Sequence, residues 1–407
     1  MKLLLSSIAV FIILFLSFIS KDTGSSAGLK AYSDEPKIYY RLARSEKQGI
    51  FSDAGLLGFC ETGRGLTGET RKKNSISVYS TKECPDYYPY RSQSGFQGLI
   101  YSLIDKFYKD PFIFKILCAS FLSAVLTAWF VWLSVYFGLI PSFLIMMSIL
   151  LFDQLIFFGD NIAQVLGATY LIMVAMFWTY EKKIANIGTV AFIVVLLKTL
   201  LSGPEYIFSA LLLPFLPVIF YAVLNQKPFP KVIQEIFLII KGVVLACFVS
   251  ILILMAQVSV LDSPAGAMHY FIGKTMERTF FSNWVSADGR HIIFNLTTSQ
   301  LSNKYLSYTC TSIGPLRISF GVMILFFCLI SVLTFYLYRR CKQRSLLALF
   351  ITTWASILCP LSWIFIAKGH SMIEAHDDLV WHIPFTLLGM ALTVVTLKTW
   401  IIKNNEP

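Results

Sequence analysis

The sequence predicts an all-α polytopic membrane protein, with about ten transmembrane helices and a first extracytoplasmic loop that carries amphipathic helices. Its 407 residues are 56% hydrophobic, 15% aromatic and only 14% charged, which is too apolar for a soluble globule. Apolar runs long enough to cross hydrocarbon recur along the chain. Between them the lysines and arginines alternate from side to side as membrane topology demands. The formal charge of +11 is scattered rather than gathered into a stripe, so nucleic acid is not an expected partner.

The spans fall near 3–19, 113–136, 139–157, 161–180, 186–201, 206–224, 235–261, 317–338, 345–366 and 384–402, the third and fifth being short. With Met1 inside, the cytoplasmic turns collect Lys182 and Lys183, then Lys227 and Lys231, then Arg339, Arg340, Lys342 and Arg344, with Lys403 in the tail. This divides the chain into an anchor (1–19), a large outer loop (20–112), a bundle (113–261), a second outer loop (262–316) and C-terminal helices (317–407) with a short outer loop at 367–383. The turns around Asp160 and Glu205 also lie outside, as does the N-x-[ST] site at Asn295. Residues 1–19 satisfy much of a signal-peptide pattern, and a retained anchor is favoured.

The eight cysteines form no C-x-x-C pair, and only Cys60, Cys84 and Cys310 sit in polar loops. In an oxidising compartment Cys60 and Cys84 can pair, a bond that sequence alone leaves open. The middle of the first loop, "ETGRGLTGETRKKNS", reads as a glycine-rich surface turn. Its end, "FQGLIYSLIDKFYKDPF", puts Phe96, Leu99, Ile100, Leu103 and Phe107 at helical spacing, with Asp105 and Lys106 elsewhere. Such a helix either lies along the membrane or packs on the ends of the spans.

An anchor followed by "DEPKIYYRLARSEKQGIF" resembles the start of the GT-C superfamily of membrane glycosyltransferases, closest to its protein mannosyltransferase-like and aminoarabinose transferase-like members. The matching features are Asp34, Glu35, Tyr39 or Tyr40, Ala43 and Gly49, and "FFGDNIAQVLGATYLIMVAMFWTYEKK" is similar to the second acidic motif, pointing to Asp160. The likeness covers roughly residues 1–185 and is only topological beyond them. It implies a polyprenyl-phosphate-linked sugar donor and an envelope glycan, lipid or protein acceptor. It also implies catalytic Asp34, Glu35 and Asp160 on the outer face, with Asp34 as the base.

The chemistry gives these residue types their own reason. Sugar transfer from a lipid phosphate needs a base for the acceptor and cations for the departing phosphate. A divalent cation such as Mg or Mn, with Asp34 and Asp160 as ligands, is the cofactor this chemistry admits. Asp-Glu-Pro is equally an ordinary helix start, and Asp53 is a rival acid or a cap. Asp153 lies inside the third apolar run, seven residues before Asp160, a spacing that points both to one helix face unless the span ends early.

Candidate substrate contacts follow later in the chain. Lys198 near the end of the fifth span can pair with Glu205, meet a lipid phosphate or snorkel to the surface. Lys274, Arg278, Arg290 and His291 are interleaved with Phe280, Phe281 and Trp284, a composition suited to phosphate and sugar and also common at interfaces. The last outer loop holds Lys368, His370, Glu374, His376, Asp377, Asp378 and His382, of which Lys368 and His370 are the phosphate candidates. His382 and Asp378, four apart, can pair with each other.

No G-x-x-x-x-G-K-[ST], G-x-S-x-G or H-E-x-x-H occurs, which leaves a nucleotide-driven pump, a serine hydrolase and a zincin without support. The expectation is therefore a glycosyltransferase of a bacterial cytoplasmic membrane, with its active site facing outside. The rival is a lipid flippase or secondary transporter using Asp153, Lys198 and the outer histidines. A polysaccharide polymerase or ligase is the nearer alternative.

Overall fold

The computed structural model describes residues 1–20, 35–63, 66, 68–84, 86–183, 185–280, 282–285, 291–294, 297–313, 316–373 and 377–405. Helices dominate, and the described strands form three two-stranded antiparallel hairpins. Among the described residues, seven helical stretches are long and apolar enough to cross a membrane: Lys2–Ser20, Phe112–Phe137, Ile207–Leu224, Phe229–Leu261, Phe320–Cys341, Arg344–Ile366 and Phe385–Asn404. The chain is thus an all-α, multi-pass membrane protein by length and composition.

Ten uninterrupted spans are not what the structure contains. The predicted third span breaks into the helix Leu139–Ser148, a single turn at Ile149–Leu151 and the short helix Asp153–Phe157. The predicted fourth begins only at Leu166, because residues 160–165 form a turn, and the helices Leu166–Lys182 and Ile187–Ser202 are short for a full crossing. Asp153 therefore opens a helix that ends before Asp160, so the two acids do not share a helix face.

Helix ends carry the expected chemistry. Asn186 Oδ1 accepts from the amides of Gly188 at 2.8 Å and Thr189 at 3.4 Å, capping Ile187–Ser202. Lys398 Nζ donates to the Phe137 carbonyl at 2.7 Å, satisfying the C-terminal end of Phe112–Phe137. The N-terminal helix buries Val10, Leu14 and Phe18, spaced four apart, in the main apolar core together with residues of Phe112–Phe137.

Residues 35–105 fold into a small unit on one end of the bundle. Its centre is the helix Glu35–Gln48, polar in sequence yet buried at ten of its positions, including Lys37 and Arg41. Pro36 suits its first turn, and Gly49, at φ +93°, ends it. The helices Gly68–Thr81 and Phe96–Asp105 pack on it, and the hairpin Gly58–Cys60 with Tyr87–Pro89 closes the unit. The stretch read as a surface turn instead supplies the start of Gly68–Thr81, of whose neighbourhood residues 64, 65 and 67 lie outside the described residues. Cys60 and Cys84 form a disulfide, with 5.4 Å between their Cα atoms.

The described residues of the predicted second outer loop include two helices. The helix Pro264–Phe280 follows the span Phe229–Leu261, and the helix Thr298–Ser307 starts with a Thr297–Gln300 capping box.

Candidate active site

Two carboxylates from distant parts of the chain meet at one lysine. Glu35 stands at the N-terminus of Glu35–Gln48, where the helix dipole favours a negative charge. Asp160 sits on the turn between Asp153–Phe157 and Leu166–Lys182. Lys115, in the first turn of the span Phe112–Phe137, places Nζ 3.2 Å from Asp160 Oδ2 and 3.6 Å from Glu35 Oε1. Lys72, on Gly68–Thr81, approaches Glu35 Oε2 at 3.8 Å. Among the described residues, two carboxylates and two lysines thus meet here.

The turn bearing Asp160 is held from both sides. Asn161 Oδ1 accepts from the amides of Ala163 at 2.9 Å and Gln164 at 3.0 Å, fixing its curvature. The Ile162 carbonyl accepts from Tyr101 Oη at 3.2 Å and from Gln97 Nε2, both on Phe96–Asp105. Tyr39, one turn beyond Glu35, is buried, and burial with the charges of Glu35 and Asp160 holds its phenol well above the usual range.

The two acids differ in environment. Glu35 is 4% exposed, and both its oxygens face lysines. Asp160 keeps 18% of its side chain exposed. Burial pushes its carboxyl above the ordinary aspartate value, Lys115 pulls it down and Glu35 adds a further upward push. A partly accessible carboxylate with a raised pKa is suited to accept a proton.

Asp34, the expected base, lies outside the described residues, so the expected Asp34–Asp160 metal pair does too. Lys115 is in reach of both described carboxylates. No group of three or more His, Cys, Asp or Glu side chains gathers for a metal among the described residues. Among the described residues, Glu35 and Asp160 share the Lys115 ammonium as a counter-ion. Asp53, the rival acid, is bound to Arg44, with Nε 2.7 Å from Oδ2.

Beside this unit is an apolar groove of about 260 Å³ between Ile187–Ser202, Phe229–Leu261, Pro264–Phe280 and Leu358–Ile366. Ile207, Phe208, Ile251, Leu254, Met255 and Phe271 make its walls, while Arg91, Lys274 and His370 bring positive or proton-carrying groups to it. Arg91 pairs with Asp262 at 3.4 Å, and Ser92 Oγ meets Tyr270 Oη at 3.1 Å. The groove and the acid pair share the segment 91–101: Gln93, in the groove wall, donates to Gln97 at 3.4 Å, and Gln97 in turn holds the Asp160 turn.

The predicted contacts divide accordingly. Lys274 and His370 line the groove, His370 edge-on to Trp363 at 5.3 Å. Lys198 does not snorkel: it is fully buried and donates to the carbonyls of Gly203, at 2.9 Å, and Glu205. Glu205 thus meets Lys198 through its backbone, and both shape the turn at the groove edge instead of presenting free charge. Lys368 is half-buried in the helix Lys368–Ile373. The side chain of Arg278, the whole of Arg290, and Glu374 and His376 lie outside the described residues. His382 is buried, its Nδ1 2.8 Å from Thr386 Oγ1; the side chain of Asp378, its expected partner, lies outside the described residues.

Sequence reasoning missed Lys115, Lys72 and Arg91. The available signal for Lys115 was a single cation early in an apolar span, "FIFKIL", where ionisable groups seek a partner. Comparison with protein-family models, curated proteins and solved structures finds no match for this chain.

Proposed function

We propose that the chain is a membrane glycosyltransferase that moves a sugar from a polyprenyl-phosphate donor to a lipid, glycan or protein acceptor. The observation that carries this reading is the meeting of Glu35 and Asp160 at Lys115, joined through residues 91–101 to an apolar groove with a basic rim. An isoprenoid chain fits the groove walls, and Arg91, Lys274 and His370 suit its phosphate.

In this mechanism Asp160 takes the acceptor hydroxyl proton as the acceptor oxygen bonds to the anomeric carbon. The bond from that carbon to the phosphate oxygen breaks, and the phosphate leaves towards the groove rim. Glu35, held by two lysines, positions Lys115, which orients Asp160. Asp34, next to Glu35 in sequence, is the second carboxylate to test as base. The Cys60–Cys84 disulfide supports an extracytoplasmic location for the unit, since such bonds persist in oxidising compartments. In a bacterium this membrane is the cytoplasmic one. The buried, carbonyl-bound state of Lys198 argues against its use as a transport-pathway charge.

The test is mass spectrometry of envelope glycolipids and glycoproteins from deleted cells complemented with wild type, Asp160→Asn, Asp34→Asn or Glu35→Gln at equal membrane levels. Wild type should restore a sugar-sized mass increment, and Asp160→Asn should lower transfer by roughly 100-fold or more. Chelation of divalent ions in wild-type membranes, followed by re-addition of Mg or Mn, tests the expected Asp34 and Asp160 metal pair in the same assay. An identical glycan profile in all strains would defeat the reading.

A further inference from the structure

The helix Phe96–Asp105 is amphipathic in the opposite sense from a helix of a soluble unit. Its polar residues Gln97, Ser102 and Asp105 are buried, together with Tyr101. Each is bonded inward: Gln97 to the Ile162 carbonyl, Ser102 Oγ to Ser45 Oγ at 2.7 Å, and Asp105 Oδ1 to Tyr79 Oη at 2.5 Å. Of its apolar residues, Ile100 and Ile104 are partly buried against the unit's core, whereas Phe96 and Leu103 face outward. Leu103 is 52% exposed, and the stripe continues through Phe107 at 77% and Tyr108 at 63%. In water this arrangement would expose apolar surface while polar side chains fill the interior.

We propose that Phe96–Asp105 and the turn after it are a membrane-interfacial element, with Phe96, Leu103, Phe107 and Tyr108 seated in the leaflet beside the acid site. Three observations select lipid as the occupant. The exposed stripe runs on into Phe112 and Leu117, exposed apolar residues of the span Phe112–Phe137. Asp105 is seven residues from Phe112, so at most about 3.6 Å per residue separates the stripe from the point where the span begins. Lys106 and Lys109 are exposed beside the stripe, placed to meet anionic headgroups while Lys109 also pairs with Glu46.

The seating has a functional consequence that does not depend on which reaction the site performs. The inward face of this helix, through Gln97 and Tyr101, holds the carbonyl two residues after Asp160. Depth of the helix in the leaflet therefore sets the depth of the acid pair. Substrates whose reacting group lies at headgroup level are selected over groups far out in water.

The test uses hydroxyl-radical footprinting of the unmodified full chain in nanodiscs containing anionic lipid, with oxidation rates corrected for intrinsic residue reactivity. Tyr88, 48% exposed on the same unit, is the reference. Phe107 and Tyr108 should be oxidised about fivefold more slowly than Tyr88 despite their larger exposure. Faster oxidation of both than of Tyr88 overturns the proposal. A second arm labels Leu103→Cys, Phe107→Cys and the control Lys73→Cys with bimane. Acyl-brominated lipid should quench the first two and aqueous iodide the third. Protection without quenching by brominated lipid means that protein covers the stripe, and that result also overturns the proposal.

Discussion

Replacing Lys115 by methionine removes an ammonium 3.2 Å from Asp160 and 3.6 Å from Glu35, and leaves two carboxylates facing each other at the membrane surface. At those separations and an effective dielectric of about 20, the gross attraction is about 5 kcal/mol for each pair. Desolvation of the three groups cancels much of it. The side chains of Lys115, Asp160 and Glu35 are 22%, 18% and 5% exposed, so the net loss is that of breaking a largely buried pair, about 3 kcal/mol. Lys72 stands 3.8 Å from Glu35 alone with 27% of its side chain exposed, and its replacement should cost about 1 kcal/mol. The assay is a detergent-denaturation titration of the purified chain, followed by circular dichroism. Adding Asp160→Asn to Lys115→Met should recover about 2 kcal/mol, because one of the two carboxylates is then neutral while Lys72 still faces Glu35. Equal midpoints for wild type and Lys115→Met, or no recovery in the double variant, would refute the charge-cluster account.

The raised pKa of Asp160 gives a signed pH effect. In the proposed transfer Asp160 must be deprotonated to act as base, so the acid limb of the rate should lie above the ordinary aspartate value of about 3.9. Glu35→Gln removes an upward push and should move that limb to lower pH, whereas Lys115→Met removes a downward pull and should move it higher; a limb indifferent to both excludes Asp160 as the titrating group. Joint replacement of Cys60 and Cys84 by serine opens a cross-link spanning 24 residues and should cost about 3 kcal/mol, read as faster proteolysis within 35–105 and reproduced by reducing the wild type. Gly95→Ala would bring Cβ to 1.7 Å from the Gly55 carbonyl oxygen, a backbone atom that must move, so a loss of about 2 kcal/mol is expected in the same titration. An unchanged midpoint there would mean that the 55–57 turn yields freely.

The legible parts of the site were those whose chemistry is local. Glu35 before a proline and Asp160 before an apolar run stand in short local motifs that can be read along the chain, although the first is equally an ordinary helix start. The lysines were not legible in the same way. Lys72 lay in a glycine-rich, charged stretch that promises a loop, yet helix packing against Glu35–Gln48 orders it and brings its ammonium to Glu35. Lys198 read as a surface-seeking cation, but the turn at Gly203 offers it two carbonyls inside the protein.

The sequence by itself determined the membrane class, because hydrocarbon demands long apolar helices and basic turns wherever a chain crosses it. It also determined that Phe96, Leu99, Ile100, Leu103 and Phe107 recur at helical spacing, since helical periodicity is written in residue spacing. Only the tertiary structure decided which of them face outward, since burial of Gln97, Ser102 and Asp105 depends on partners at Ile162, Ser45 and Tyr79, distant along the chain. It likewise decided that Glu35 and Asp160 meet at Lys115: periodicity reports what a segment is, whereas the pairing of charges depends on where separate segments come to rest.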